Sequence, residues 1–288
     1  MAVDTRGITF VQTNDAEFRA WVAAVIAQLI AIGLTQTADT GQIDTATVSR
    51  PGTTNTQAGY AVFRFNDAAH ATRPIFIKLA FGTGSTTTGP SMWLTLGTGS
   101  NGSGTLTGQW RAEIQRNGGA SANAYTCAAS YDTTTGMMWA HWGNSGGTLL
   151  LLMVARSCDP VTEAVSDHGV LWNGANSGGD LEFAPWSTLI SANMVPAGFP
   201  ATAGPFVQDG KRTVMKYLGY CSNGTTGYFT VPGVLITLNT EFPHGMLVKA
   251  TTGEVERTYY CLTGSTDIPG AWTQLSATAE RPMFLWDV

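Results

Sequence analysis

The first apolar pattern along the chain has the spacing of a helix. Large apolar side chains recur every three or four positions and so share one helical face: Phe18, Trp21, Val22, Val25, Leu29 and Ile32. Asn14 can cap the first turn together with Glu17, and Gly33 can end the helix in the left-handed conformation. We predict an amphipathic helix whose residues Phe18, Trp21, Val25 and Leu29 pack against a sheet or against a symmetry-related copy.

After this helix the apolar pattern changes to a period of two, which is typical of strands. Short alternating segments such as GYAVFRF, PIFIKLAF and SMWLTLG recur along the rest of the chain, separated by turn residues. A near-continuous apolar run, TLLLLMVARS, predicts a central strand that is covered on both faces. The sequence therefore predicts a mainly β fold, an antiparallel β-sandwich or jelly-roll-like domain or domains with one N-terminal α-helix.

The stretch from Phe81 to Gly108 is rich in glycine, serine and threonine and has no charged residue. A phosphate-binding loop would need a lysine and a following helix, whereas this stretch has no lysine and leads into an alternating segment. A flexible linker is disfavoured because the apolar run from Met92 to Leu96 has the length of a strand. We interpret the stretch as strands joined by tight turns, with Asn101-Gly102 as the strongest turn signal.

These patterns divide the chain into three regions. Residues 1–35 hold an N-terminal strand and the helix, residues 36–190 a main β domain, and residues 191–288 a C-terminal β portion. The second boundary is a passage rich in glycine and proline, from Ser191 to Phe206. The same passage could be a surface loop, in which case the last two regions belong to one domain.

Composition argues against several classes of function. Charged residues make up 12% of the chain, with a net charge of −5 and no basic cluster, so we predict no nucleic-acid binding. The apolar helical segment is shorter than the roughly 20 residues that cross a bilayer and contains Arg19 and Gln28, so we predict no membrane span. The cysteines form no metal-binding pair, and we interpret them as buried apolar residues, with disulfides left open: Cys127, Cys158, Cys221 and Cys261.

One aromatic segment, MMWAHWG, could form a patch that stacks on a ligand or a partner. It contains Trp139, His141 and Trp142. Strand alternation puts Trp139 and His141 on one face and Trp142 on the other. That arrangement favours core packing with one exposed side chain over a ligand-binding patch.

The acidic residues carry no recognisable catalytic or metal-binding motif. Asp159, Glu163 and Asp167 lack the alternating oxygen ligands of a calcium loop, which favours a solvated connection. Asp39 and Asp44 are interpreted as turn formers. The sequence leaves open whether folding brings two distant carboxylates together, as in glycosidases. We predict no catalytic residue, no cofactor and no metal.

Three blocks carry a resemblance: GYAVFRFNDAAHATRPIFIKLAFGTG, LGTGSNGSGTLTG, and LLLLMVARSCDPVTEAVSDHGVLW with the closing RPMFLWDV. With the preceding helix, they resemble a group of virion structural proteins of tailed bacteriophages, associated with the tail, baseplate or fibre. The resemblance covers about residues 14 to 175 and, more weakly, the last strand. It transfers no catalytic residue.

This resemblance implies a β-rich building block of a phage particle, assembled in the host cytoplasm and located in the virion. The expected function is non-enzymatic and structural, in the tail or baseplate, with other virion proteins and copies of the chain itself as partners. An alternative is an adhesin of the virion that binds a receptor or a host-surface glycan through exposed aromatic residues. A glycan hydrolase is a third hypothesis, which no local motif supports.

A surface with few charges also predicts self-association, because copies repel one another little. We expect a cyclic homo-oligomer, a trimer or higher, or assembly around a symmetric partner. The predicted interfaces are the apolar helix face of Phe18, Trp21, Val25 and Leu29, and the loop from Thr83 to Thr88.

Overall fold

The fold is taken from a computed structural model, which describes residues 1–118, 120, 122–142, 150–159, 161–162, 164–175, 178–185, 192–193, 214–221, 227–237, 245–252, 255–261 and 281–286. Within these residues one α-helix, α1, spans Asp15–Ala31, and a short 3-10 helix spans Ala68–Ala71. The strands are β1 Ala2–Thr9, β2 Thr35–Gln36, β3 Thr56–Arg64, β4 Phe76–Thr83, β5 Pro90–Gly97, β6 Gly99–Ser100, β7 Leu106–Thr107, β8 Arg111–Asn117, β9 Ala124–Asp132, β10 Met137–Trp142, β11 Leu150–Cys158, β12 Val165–Ala175, β13 Gly178–Pro185, β14 Ala192–Asn193, β15 Val214–Cys221, β16 Gly227–Thr237, β17 Leu247–Thr252, β18 Val255–Cys261 and β19 Arg281–Leu285.

Helix α1 begins and ends at the predicted signals. The side chain of Asn14 accepts a hydrogen bond from the Glu17 amide at 3.0 Å, and the Glu17 carboxylate accepts one from the Thr13 amide at 2.6 Å. The first contact satisfies a donor that the first turn of a helix leaves free, and the second ties the residue before the cap to that turn. At the other end Gly33 has φ +101°, a conformation that glycine adopts without steric cost.

The strands form two main antiparallel sheets, which confirms the predicted mainly β fold. The large sheet has the order β1-β9-β10-β11-β16-β19-β18-β17, with β12 also beside β11, β13 and β14 continuing from β12, and β15 beside β16. The small sheet has the order β2-β3-β4-β5-β8, and β6 and β7 form a separate hairpin. The architecture is sandwich-like, with one helix near the N-terminus.

The main core lies between the small sheet and one face of the large sheet. Helix α1 completes this core and contacts both sheets. The ring of Trp21 meets that of Phe81 on β4 edge to face, with centroids 5.5 Å apart. On the opposite side, Nε1 of Trp142 on β10 donates to Oε1 of Gln28 at 2.8 Å. The apolar helix face is therefore buried inside its own chain, which is the first of the two predicted alternatives.

A second core covers the other face of the large sheet. Met153 and Ala155 point into it, whereas Leu152 and Val154 of the same strand point into the main core. The C-terminal strands supply the other side of this second core, including Phe284 and Leu285. Strand β11 is thus covered on both faces, as its near-continuous apolar sequence predicts.

The three-region division stays a prediction. Strand β1 pairs with β9, so part of residues 1–35 belongs to the large sheet. Of the passage from Ser191 to Phe206, only β14 lies within the described residues.

Candidate functional site

The aromatic segment of β10 is buried on both faces. Trp139 lies in the second core, where its ring stacks on Phe284 with centroids 5.3 Å apart, and its Nε1 donates to the Leu285 carbonyl at 3.1 Å. Trp142 lies in the main core, and His141 is 5% exposed. The alternation of the two tryptophans is confirmed. The expectation of one exposed side chain is wrong, because the large sheet has a core on each face and leaves no surface for a ligand at these residues.

Most of the predicted oligomer contacts are also inside the chain. Phe18, Trp21, Val25 and Leu29 are buried in the main core, so their assignment to an interface between copies is wrong. Thr83 is buried as well, and its hydroxyl donates to the Thr53 carbonyl. Thr88 is exposed in the β4–β5 loop. The physical reason is the position of α1 between the two sheets, which uses its apolar face for folding.

The Gly-rich stretch supplies tight turns, as predicted. Strands β6 and β7 pair Gly99 with Thr107 and Ser100 with Leu106. The side-chain oxygen of Asn101 accepts hydrogen bonds from the amides of Ser103 at 2.9 Å and Thr105 at 3.1 Å. The next residue, Gly102, has φ +82°, which a residue with a Cβ adopts only at a cost.

Asp39 holds this hairpin in place. Its carboxylate accepts hydrogen bonds from the Gly104 amide at 2.9 Å, the Thr37 hydroxyl at 2.6 Å and the Ser100 hydroxyl. Burial acts to raise the pKa of Asp39, but the hydrogen bonds from Ser100, Thr37 and Gly104 outweigh it, so the pKa is lowered. The expectation that Asp39 forms a turn is therefore too local, because it fixes a hairpin more than 60 residues away.

A buried ion pair lies between the two sheets. We call Asp67, Arg73, Gly136 and Arg156 the ion-pair cluster. Arg156 is fully buried on β11 and binds the Asp67 carboxylate with two parallel hydrogen bonds, Nε to Oδ2 at 2.5 Å and Nη2 to Oδ1 at 2.8 Å. Its third nitrogen, Nη1, donates to the Arg73 carbonyl. The cluster joins the β3–β4 connection of the small sheet to the centre of the large sheet.

Gly136 makes room for this ion pair. It lies in the β9–β10 turn with φ +64°, and a Cβ placed there would be 2.6 Å from Oδ2 of Asp67 and 2.8 Å from Nε of Arg156. Nearby, the hydroxyl oxygen of Tyr131 accepts a hydrogen bond from the Asn66 amide at 2.8 Å. Burial raises the pKa of Tyr131, so its hydroxyl stays protonated.

The sequence contains a partial signal for this cluster. Arg156 is a charged residue at the end of an apolar strand, and arginine is buried almost only when it is paired. Its partner could not be read from the sequence, because Asp67 lies 89 positions away in the connection between β3 and β4.

The described cysteines and His70 are packed against other residues of the fold. Cys127, Cys158 and Cys261 are buried, which confirms for these three the interpretation as buried apolar residues, and burial raises the pKa of Cys261 to about 12. The Cys221 side chain lies outside the described residues. His70 is half-buried against Phe76. Its pKa is lowered, mainly by burial and to a smaller extent by the positive charge of Arg64.

The exposed carboxylates hold local turns. Asp44 accepts hydrogen bonds from the Ala46 amide and the Thr47 hydroxyl. Asp159 accepts from the amides of Val161 and Thr162. The side chains of Glu163 and Asp167, like those of His168 and His244, lie outside the described residues. In the described part, no three His, Cys, Asp or Glu residues are grouped so that they could hold a metal ion.

The fold and these contacts define a sandwich-like antiparallel β protein in which polar side chains hold turns and sheets together. Comparison with protein-family models, with curated proteins and with solved structures finds no match. Among the described residues, no helix combines the length and the apolar character that crossing a membrane requires.

Proposed function

We propose that the chain is a non-enzymatic structural component of a bacteriophage particle, located in the tail or baseplate and present in several copies. The class of protein in this proposal comes from the resemblance of the three sequence blocks to virion structural proteins. The phage role is an inference from those blocks.

One structural observation carries the non-enzymatic part of the proposal. The described carboxylates that sequence analysis considered for chemistry each bind protein groups that hold the fold: Asp39 fixes a hairpin, and Asp44 and Asp159 close turns. The buried Asp67 is occupied by Arg156. Groups engaged in this way act as structural ties, since catalysis needs a carboxylate that can reach a substrate.

The β-rich architecture also suits a particle protein. The small sheet, the large sheet and α1 share one main core, and the ion-pair cluster fastens the two sheets together. Its exposed turns, such as Ser85 to Thr88, consist of small polar residues. An uncharged surface of this kind permits close contacts between neighbouring proteins with little electrostatic repulsion.

Incubation of the purified chain with host-surface polysaccharide tests this proposal against its alternatives. A structural component neither binds nor cleaves the polysaccharide. Binding without cleavage would favour an adhesin, and release of shorter saccharides would favour a hydrolase. A variant with Asp44→Asn and Asp159→Asn is the control for cleavage, because both carboxylates are exposed. Loss of cleavage with an unchanged melting temperature would assign chemistry to them.

A further inference from the structure

Strand β1 is an open edge of the large sheet. It pairs with β9 on one side, and on its other side no strand pairs with it among the residues that the structure describes. The edge is eight residues long, Ala2–Thr9. An open edge presents backbone N–H and C=O groups that can pair with another strand.

The contacts of Gln28 show which groups of β1 face outward. Its Nε2 donates to the carbonyl oxygens of Asp4 at 3.2 Å and of Cys127 on β9 at 3.1 Å. Both oxygens therefore lie at the seam between β1 and β9, since one nitrogen reaches both. Backbone groups alternate in direction along a strand, so those of Val3, Thr5 and Gly7 face the open side.

Two opposite charges flank the middle of this edge. Asp4 and Arg6 lie on the same face of β1 and form an ion pair, Nε to Oδ2 at 2.6 Å, with side chains that are 20% and 26% exposed. Thr5 lies between them on the other face and is exposed. An antiparallel pair of β1 strands centred on Thr5 places each Asp4 directly opposite the Arg6 of the other chain.

This register is selected by charge. Centring the pair on Asp4 or on Arg6 sets like charges opposite each other, which is unfavourable. Centring it on Val3 sets Asp4 opposite Ala2, and centring it on Gly7 sets Arg6 opposite Ile8, so neither register pairs opposite charges. In the Thr5 register the charged residues occupy the non-hydrogen-bonded positions, where side chains on neighbouring strands come closest. Charges on an edge usually discourage pairing, but here they favour a single arrangement.

We propose that two copies of this chain associate by antiparallel pairing of their β1 strands, with Thr5 on the two-fold axis. The contact joins the two large sheets into one continuous sheet and uses the same surface on both copies. Together with a second interface, this contact builds assemblies with an even number of chains. The inference stands on β1 alone and is independent of the phage role.

Substitution at the axis tests the contact in solution. Thr5→Lys places two lysines opposite each other and should weaken the dimer at least about tenfold in Kd, measured by sedimentation of the full chain. The control is Thr126→Lys, which adds the same charge at an exposed position of the inner strand β9, paired with Gly7. Thr126→Lys should dimerise as the unchanged chain does.

Charge exchange tests the register. Asp4→Arg and Arg6→Asp, made singly, each set like charges opposite each other and should dissociate the dimer. The double exchange restores opposite charges both within and between chains, and dimerisation should return. Melting curves at concentrations below the Kd check that each variant stays folded.

Disulfide trapping gives a second readout. Thr5→Cys brings two thiols together across the axis and should form a linked dimer on oxidation, whereas Thr126→Cys should not. The proposal is overturned by a chain that stays monomeric up to about 100 μM, by an oligomer that Thr5→Lys leaves intact, or by equal cross-linking at the two positions.

Discussion

Arg156 joins the large sheet to the connection between β3 and β4 of the small sheet. It is fully buried, and it binds both Asp67 and the Arg73 carbonyl of the β3–β4 connection. Breaking a buried pair from one side leaves an uncompensated charge, which costs more than the intact pair contributes.

We expect Arg156→Met to lower the free energy of unfolding by about 3–5 kcal/mol, because Asp67 then remains buried without its partner. Adding Asp67→Leu should recover at least half of that loss, since the stranded charge is removed. Urea denaturation of the two single variants and the double variant measures both effects. Strictly additive losses in the double variant would show that the two residues do not act as a pair.

Two glycines separate backbone strain from crowding. Gly102 and Gly136 both have positive φ, but a Cβ at Gly102 meets no atom within 4 Å, whereas one at Gly136 falls on the ion-pair cluster. Gly102→Ala should cost about 1–2 kcal/mol from the backbone conformation alone. Gly136→Ala should cost clearly more, in the same denaturation experiment. Equal losses would mean that the ion pair moves aside freely.

Single residues show where sequence reasoning reaches its limit. The turn at Asn101-Gly102 was predictable, because its chemistry involves neighbours in the sequence. The burial of His141 and Trp142 was not, since alternation tells which residues share a face but not whether another layer covers that face. Asp39 and Asp67 were beyond reach for a related reason: their partners are distant in sequence.

At the scale of elements, α1 was the most predictable part of the fold. Its cap, its apolar spacing and its final glycine are all local signals, and all three are confirmed. The local sequence does not show what the apolar face of α1 packs against. Packing against a sheet and packing against another copy were therefore both possible predictions. The structure places α1 between the two sheets, in the main core.

Trp21→Ala is the test of this element. Trp21 is 2% exposed and contacts both Phe18 and Phe81, so the substitution should lower the free energy of unfolding by about 3–5 kcal/mol. Ile30→Ala on the same helix is the matched control, because Ile30 is 47% exposed and its loss should stay within about 0.5 kcal/mol. An unchanged melting temperature for Trp21→Ala contradicts the placement of α1.

The strands were predictable as a class but not as an arrangement. Alternation locates β3, β4 and β5, and the apolar sequence of β11 indicates that both faces are covered. Which strands share a sheet depends on contacts across the whole chain: β1, for example, pairs with β9 more than 110 residues later. Sequence periodicity carries no information about that choice.

At the scale of the whole molecule, several carboxylates couple stability to pH. Hydrogen bonds lower the pKa of Asp15, Glu17, Asp44 and Asp159 despite partial desolvation, and those to Asp39 outweigh its burial. A carboxyl group with a lowered pKa in the folded state stabilises the fold above its unfolded pKa. That stability is lost as the pH falls through the lower, folded value.

We therefore expect the melting temperature to fall as the pH drops below the ordinary aspartate value of 3.8. Above about pH 5 the stabilisation from these carboxylates is fully present and no longer changes with pH. Asp39→Asn should make the acid decline shallower, because one of the contributing groups no longer titrates. A chain whose melting temperature is constant down to pH 2, or an Asp39→Asn variant with a steeper acid decline, contradicts this account.

The central claim is that the chain is a repeated structural part of a phage particle. Cryo-electron microscopy of intact virions of the phage that encodes it tests this most directly. The account predicts several symmetry-related copies in the tail or baseplate, each with α1 enclosed between the small and large sheets and with no contribution from the helix's apolar face to contacts between chains. Purified virions that lack the chain altogether would contradict it.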